Sequence, residues 1–148
     1  MKDELLSAGG YQDGIGFRHA AIVELANKYG LKLEYAQKFF KTNEEKQRGL
    51  EIIENNLRHG QPVIASIINE LNPVRSSHLV TIRGFRKNER EVEGYLVQDS
   101  DGRWRGHSYF LSRQEFLSCW RGGLIFGKQV RASNFAGIMV RFLRKLGA

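Results

Sequence analysis

A chain of 148 residues, 41% hydrophobic and 26% charged, is long enough for one domain with a real core, and its composition excludes global disorder. No apolar run approaches the roughly 20 residues that span a bilayer, and a single cysteine, Cys119, excludes a disulfide framework and a cysteine-based metal site. The net charge of +7 raises nucleic acid or an anionic membrane as partners, but from Arg121 onward there are six basic residues and no acidic one, so the basicity belongs to the tail.

In chain order, MKDELLSAGG is charged and has no apolar core, so it is not a secretory signal as it stands, and the expectation is a cytoplasmic protein. Residues 3–7 read as the stub of a helix, followed by the loop GGYQDGIG. A helix is predicted from Phe17 to Lys28, with Ala21, Val23, Leu25 and Ala26 supplying apolar surface and Gly30 ending it. Leu31 to Ala36 alternates and reads as a short strand.

Thr42 with Glu45 three residues on is a capping-box signature, and the helix it opens runs to about His59, with Leu50, Ile53 and Leu57 at helical spacing. Gly60 closes it. Pro62 then starts PVIASII, a β-branched run that reads as a buried strand. His78 to Phe85 and Glu91 to Gln98, joined by the charged turn RKNER, read as an antiparallel hairpin. A polar loop leads to Ser112, which with Glu115 opens a short helix ending near Trp120, and Gly123 to Phe126 is a last strand. Helices first and antiparallel strands second indicate an α+β fold rather than a parallel βαβ sheet.

His78 and Asp99 fall at the same end of the predicted hairpin. Adjacent strands lie about 4.8 Å apart, so the two side chains can hydrogen-bond if register and face allow. The structural alternative is that His78 caps a strand and Asp99 begins a turn. Asp99-Ser100-Asp101-Gly102 opens like a calcium loop, but the later acidic positions are unfilled, which favours a turn. His19, His59 and His107 share no ligand spacing with one another or with His78, so no metal is expected.

Tyr95, Trp104, Tyr109, Phe110 and Trp120 interleave with Arg103, Arg105 and Arg121. Such sets bind single-stranded nucleic acid, but a cleft rim or core packing explains them as well, and nucleic acid is not favoured.

From Ser133 on, Phe135, Ile138, Met139, Phe142, Leu143 and Leu146 trace one face of an amphipathic helix, with Arg141, Arg144 and Lys145 near its C-terminus. Packing on the domain's own core leads. A partner groove, including a homodimer through this helix, comes next, and a membrane surface after that.

Taken together, LRHGQPVIASI, SSHLVTIRGF, YLVQDSDGR and LSRQEFLSCWRGGLIF, in that order, resemble the second half of the C39-like, papain-like cysteine peptidases of clan CA, and GFRHAAIVELANKYGL resembles the helix before their sheet. The resemblance covers residues 1–127 and leaves 128–148 as a separate basic tail. It implies a papain-like α+β fold, an extended peptide as substrate and no cofactor. It also implies His78 as general base then acid and Asp99 as the residue orienting its ring. The family's nucleophilic cysteine belongs upstream of everything present here, so the domain is expected to be N-terminally incomplete and inactive alone. Cys119, within FLSCW, falls where the family places packing residues. Two outcomes stay open: a cysteine peptidase domain, or a non-catalytic binding or scaffold protein working through its tail helix.

Overall fold

Two glycines and two hydroxyls set the helix ends. A computed structural model of the chain describes residues 2–12, 16–36, 40, 42–68 and 78–127. After the short helix α1 (Lys2–Ser7), strands β1 (Tyr11–Gln12) and β2 (Gly16–Phe17) pair within the stretch expected to be a loop. Helix α2 (His19–Lys28) then starts two residues later than its apolar pattern suggests.

Helix α2 stops at Gly30 (φ +82°), where Leu31 N–H donates to Ala26 O and Gly30 N–H to Asn27 O at 3.0 Å each. Helix α3 (Asn43–Arg58) stops the same way at Gly60 (φ +70°), with Gln61 N–H on Asn56 O and Gly60 N–H on Leu57 O. Only glycine adopts this left-handed turn without cost, and the paired bonds satisfy carbonyls the helix leaves open. At its start α3 carries the reciprocal Thr42–Glu45 box, and helix α4 (Arg113–Cys119) carries the same device in Ser112 and Glu115. Strand β3 (Leu33–Ala36) is aligned by Asn27, whose side-chain amide bonds both the N–H and the C=O of Leu33.

The remaining strands are β4 (Val63–Ile67), β5 (His78–Lys87), β6 (Val92–Gln98), β7 (Ser108–Ser112) and β8 (Trp120–Gly127). Together with β3 they form one six-stranded antiparallel sheet in the order β3-β8-β4-β5-β6-β7. Strand β7 was expected to be loop. It is short, only Leu111 of its five residues is fully buried, and polar residues flank it, so it carries little alternation to read. Strand β8 also begins earlier than expected, directly after Cys119.

The sheet is covered on both faces. One face packs Val63, Ala65, Ile67, Val80, Ile82, Val97 and Leu124 against Leu50 and Ile53 of α3, Phe116 of α4 and Trp120. On the other, Ile64, Ile125 and Leu79 pack against Ala21, Ile22, Leu25 and Ala26 of α2. All five residues of β4 are therefore buried, which is why PVIASII, apolar but for Ser66, does not alternate. The tail helix expected from Ser133 lies outside the described residues.

A polar tie crosses the first face. Glu54 of α3 accepts from Tyr95 Oη of β6 and from Arg113 Nη1 of α4, each at 3.1 Å, while Arg113 Nη2 donates to Gln47 Oε1 at 2.9 Å. This fixes α3 over β6 and α4 as well as the apolar contacts do. Burial first, and the Glu54 carboxylate with it, push the Tyr95 phenol far above its usual range, so it stays a donor.

Two stability predictions follow from this packing. A Cβ added at Gly49 would lie 2.2 Å from Trp120 Cη2 and 3.0 Å from Phe40 Cε2, and Trp120 is only 5% exposed. Overpacking should outweigh the roughly 1 kcal/mol that Gly→Ala usually gains in a helix. Gly49→Ala is therefore expected to lose about 1–2 kcal/mol in urea unfolding. Gly84→Ala, meeting only Leu96 Cδ1 at 3.4 Å, should stay within about 0.5 kcal/mol of the parent.

His19, at the first turn of α2, is partly buried, and a Cβ at Gly123 would touch both its ring and Ser66. Burial lowers its proton affinity below the usual value of 6.5. The unfolded chain thus binds this proton first, and the folded state loses stability as pH falls below about 6.5 until the lower folded value is passed. The stability gap between the parent and His19→Asn should therefore narrow between pH 7.5 and pH 5; a gap constant with pH would refute the role given to His19.

Candidate active site

The β5–β6 register sets the geometry. Thr81 lies opposite Gln98 and Ile82 opposite Val97. Continuing that register one step puts Asp99 level with Val80, two residues from His78 and on the same face. Side chains on such a diagonal can meet when one of them is long. Here they do: His78 Nε2 lies 2.7 Å from Asp99 Oδ1.

Asp99 is 1% exposed and the His78 side chain 19%. Oδ1 of Asp99 also accepts the Asp101 backbone N–H at 2.9 Å, and Oδ2 accepts the Tyr109 hydroxyl at 3.3 Å. Burial by itself pushes this carboxyl up, but the hydrogen bond and charge of His78, with Asp101 N–H and Tyr109 Oη–H, outweigh it and hold the group below the usual carboxylate value. An ionised carboxylate only accepts hydrogen bonds, so Nε2 of His78 carries the proton. In the neutral ring the free lone pair is then on Nδ1, on the side away from Asp99.

The loop after β6 holds Asp99 in place. Asp99 N–H donates to His107 O at 3.0 Å, and His107 Nδ1–H donates back to Asp99 O at 3.1 Å. Gly102 (φ +65°) lies so close under the His107 ring that a Cβ there would come within 2.5 Å of it. Asp101 is engaged by Arg103, whose Nη2 donates to Oδ2 at 2.6 Å. The Asp-Ser-Asp-Gly segment is thus a turn whose carboxylates face His78 and Arg103. Among the described residues no group of three or more His, Cys, Asp and Glu side chains converges as a metal site.

The other singled-out residues fall elsewhere. His59 is exposed and bonds Asn55 O of its own helix. Cys119 ends α4 half-buried, with its thiol donating to Phe116 O at 3.5 Å; burial pushes that thiol up to about 11. Tyr95 and Trp120 belong to the core, Tyr95 tilted against Phe116 at 4.9 Å and Trp120 stacked on it at 5.5 Å between centroids. Trp104 and Tyr109 make a T-shaped contact at 5.7 Å between centroids, and Trp104 carries Arg105 above its ring at 4.6 Å. The five aromatics therefore do not form one exposed stacking platform.

Two residues in contact with Asp99, His107 and Tyr109, were not identified as site residues from the sequence. The missing signal is strand β7. Val97 lies opposite Tyr109, so recognising that strand would have placed the Tyr109 side chain on the face of Asp99.

No helix among the described residues is long and apolar enough to cross a membrane. The sequence model of the Peptidase_C39 like family matches residues 6–123. No curated protein matches the chain. Among solved structures, the chain is similar to the crystal structure of the peptidase domain of Streptococcus mutans ComA, at 19% identity and a TM-score of 0.49, with 80% of this chain and 79% of that one covered. The family match takes in well over half of the chain and ends within β8, past both His78 and Asp99. The chain belongs to the Peptidase_C39 like family, and its α+β architecture, helices packed on an antiparallel sheet, is of the papain-like kind.

Proposed function

We propose that this domain provides the base and its orienter for hydrolysis of an extended peptide by a thiolate. The observation that carries this reading is the 2.7 Å bond between His78 Nε2 and a dry, ionised Asp99. It leaves Nδ1 as the proton acceptor. Nδ1 takes the proton of the attacking thiol, the thiolate adds to the scissile carbonyl carbon, and the imidazolium returns the proton to the departing amine nitrogen. A water molecule, deprotonated at Nδ1, then releases the acyl group from sulfur. Asp99 keeps its charge throughout, which fixes the ring and favours the imidazolium.

Cys119 does not fit the part of nucleophile. A helpful thiol has its proton affinity lowered by nearby positive charge, whereas that of Cys119 is raised by burial and its hydrogen goes to Phe116 O. We therefore assign the thiolate to a cysteine outside these 148 residues and expect no hydrolysis by the 148-residue chain alone. The competing reading is a binding protein that keeps the sheet without the chemistry.

The deciding experiment extends the chain with the coding sequence in frame ahead of residue 1. An extension that opens a helix with Cys-Gly should give thiol-dependent cleavage of extended peptides, and His78→Ala in it should lower kcat/KM by about 10²–10⁴-fold. Hydrolysis that survives His78→Ala would remove the histidine from the mechanism, and an extended chain without thiol-dependent cleavage would favour the binding protein.

Cys119 has its own test. At neutral pH a thiol at about 11 rather than 9.0 is ionised roughly two orders of magnitude less. Iodoacetamide should label Cys119 far more slowly in the folded chain than in urea. Comparable rates in the two states would reopen Cys119 as a reactive residue.

A further inference from the structure

Asp99 has a second oxygen, and what that oxygen touches bears on the base. The charged and titratable groups around Asp99, its neighbour Asp101 and Tyr109 are His78 from β5, Arg103 and Arg105 on the loop after β6, His107 where that loop rejoins the sheet, and Cys119 at the end of α4. Asp101 is taken up by Arg103, Arg105 lies beside Glu115, and the His107 ring bonds the backbone of Asp99 rather than its side chain. Oδ1 receives His78 and Asp101 N–H. Among the described residues Oδ2 receives Tyr109 Oη–H and nothing else.

We propose that Tyr109 is a positioning residue for the His78–Asp99 pair: its hydroxyl, bound to Oδ2, keeps Asp99 ionised and fixes the roll of the carboxylate so that Oδ1 stays on His78 Nε2. This rests on the function proposed above and adds a member to that site.

The placement is built into the sheet. Tyr109 sits opposite Val97 on the neighbouring strand, and its ring makes a T-shaped contact with Trp104 at 5.7 Å between centroids. A carboxylate with 1% exposure has no water to replace a lost donor. Without the hydroxyl the carboxylate either takes up a proton, and the imidazole loses its fixed tautomer, or turns to share Oδ1 and Oδ2, and the imidazole loses its fixed orientation. The phenol is itself pushed well above its usual range, first by burial and then by the Asp99 charge, so it remains a donor at any pH the enzyme would meet.

The test is an NMR titration of the 148-residue chain, following the Asp99 side-chain carboxyl carbon and the ring nitrogens of His78, with a backbone fingerprint to confirm folding. In the parent, Nε2 should hold the proton of the neutral ring and Asp99 should titrate below the usual carboxylate range. Tyr109→Phe keeps the ring and removes the donor; the Asp99 midpoint should move up and the Nε2-protonated form should lose its exclusive hold. Incorporating 3-fluorotyrosine at position 109 alone strengthens the donor and should move the Asp99 midpoint down. If the Phe variant fails to fold, the fluorotyrosine arm decides alone.

A parent ring protonated on Nδ1 overturns the His78–Asp99 reading itself. A parent pair that behaves as described, with an Asp99 midpoint unmoved by either change, overturns the role of Tyr109 and leaves the pair standing. In an extended chain that cleaves peptide, Tyr109→Phe should lower kcat with little change in KM, since Tyr109 bonds Asp99 and not substrate; a loss confined to KM counts against the role.

Discussion

The pairing of Thr81 with Gln98 is the constraint on which the site depends. Side chains alternate across a sheet, so a slip of one residue between β5 and β6 would send Asp99 to the face covered by α2 and leave His78 on the other. The register is held by burial on both sides of it. Val80, Ile82 and Val97 must stay on the face of α3 and α4, while Leu79 packs with the cluster under α2. Exchanging them would expose several branched side chains at roughly 1.5–3 kcal/mol each. The position of the His78–Asp99 bond is therefore fixed by residues that never touch it.

The same two-sided burial explains how a chain with two small clusters keeps one sheet. Strand β4 contributes Val63, Ala65 and Ile67 to one cluster and Ile64 to the other, and β8 contributes Leu124 and Ile125 in the same divided way. Each cluster on its own is modest. Joined through shared strands they become one cooperative unit, and the Glu54–Tyr95–Arg113 tie adds direction to the α3 side. A largely enclosed carboxylate in such a tie, with Glu54 12% exposed, stabilises best with its strong partners present; removing one leaves a charge in a poor medium.

Much of this was legible in the sequence. Both capping boxes, both glycine stops and the hairpin could be read because each depends on neighbours three to six residues apart, where chain geometry is nearly fixed. The bond between His78 and Asp99 was readable as a possibility, since hairpin ends must adjoin. Its register and face were not, because they depend on contacts spread over both faces of the sheet. Strand β7 was missed for the reason that Tyr109 was missed. It is an edge strand with one fully buried residue, Leu111, so tertiary pairing rather than pattern makes it a strand. The burial of β4 was readable from its branched run, but which helices lie on its two faces was not, because no local signal connects α2 and its cluster to it.

The choice of an acid at position 99 completes the argument. A neutral amide there could hold the imidazole just as well by geometry, at far less desolvation cost. A carboxylate at 1% exposure is tolerable only with donors on both oxygens, and the chain meets that demand with three, from β5, from the turn and from β7. In the proposed mechanism the charge does more than hold the ring: it stabilises the imidazolium formed when a thiol gives up its proton. The network around Asp99 is larger than orientation requires. In the proposed mechanism its size answers to the charge, which explains why an edge strand with so little apolar burial carries a tyrosine aimed at a neighbouring loop.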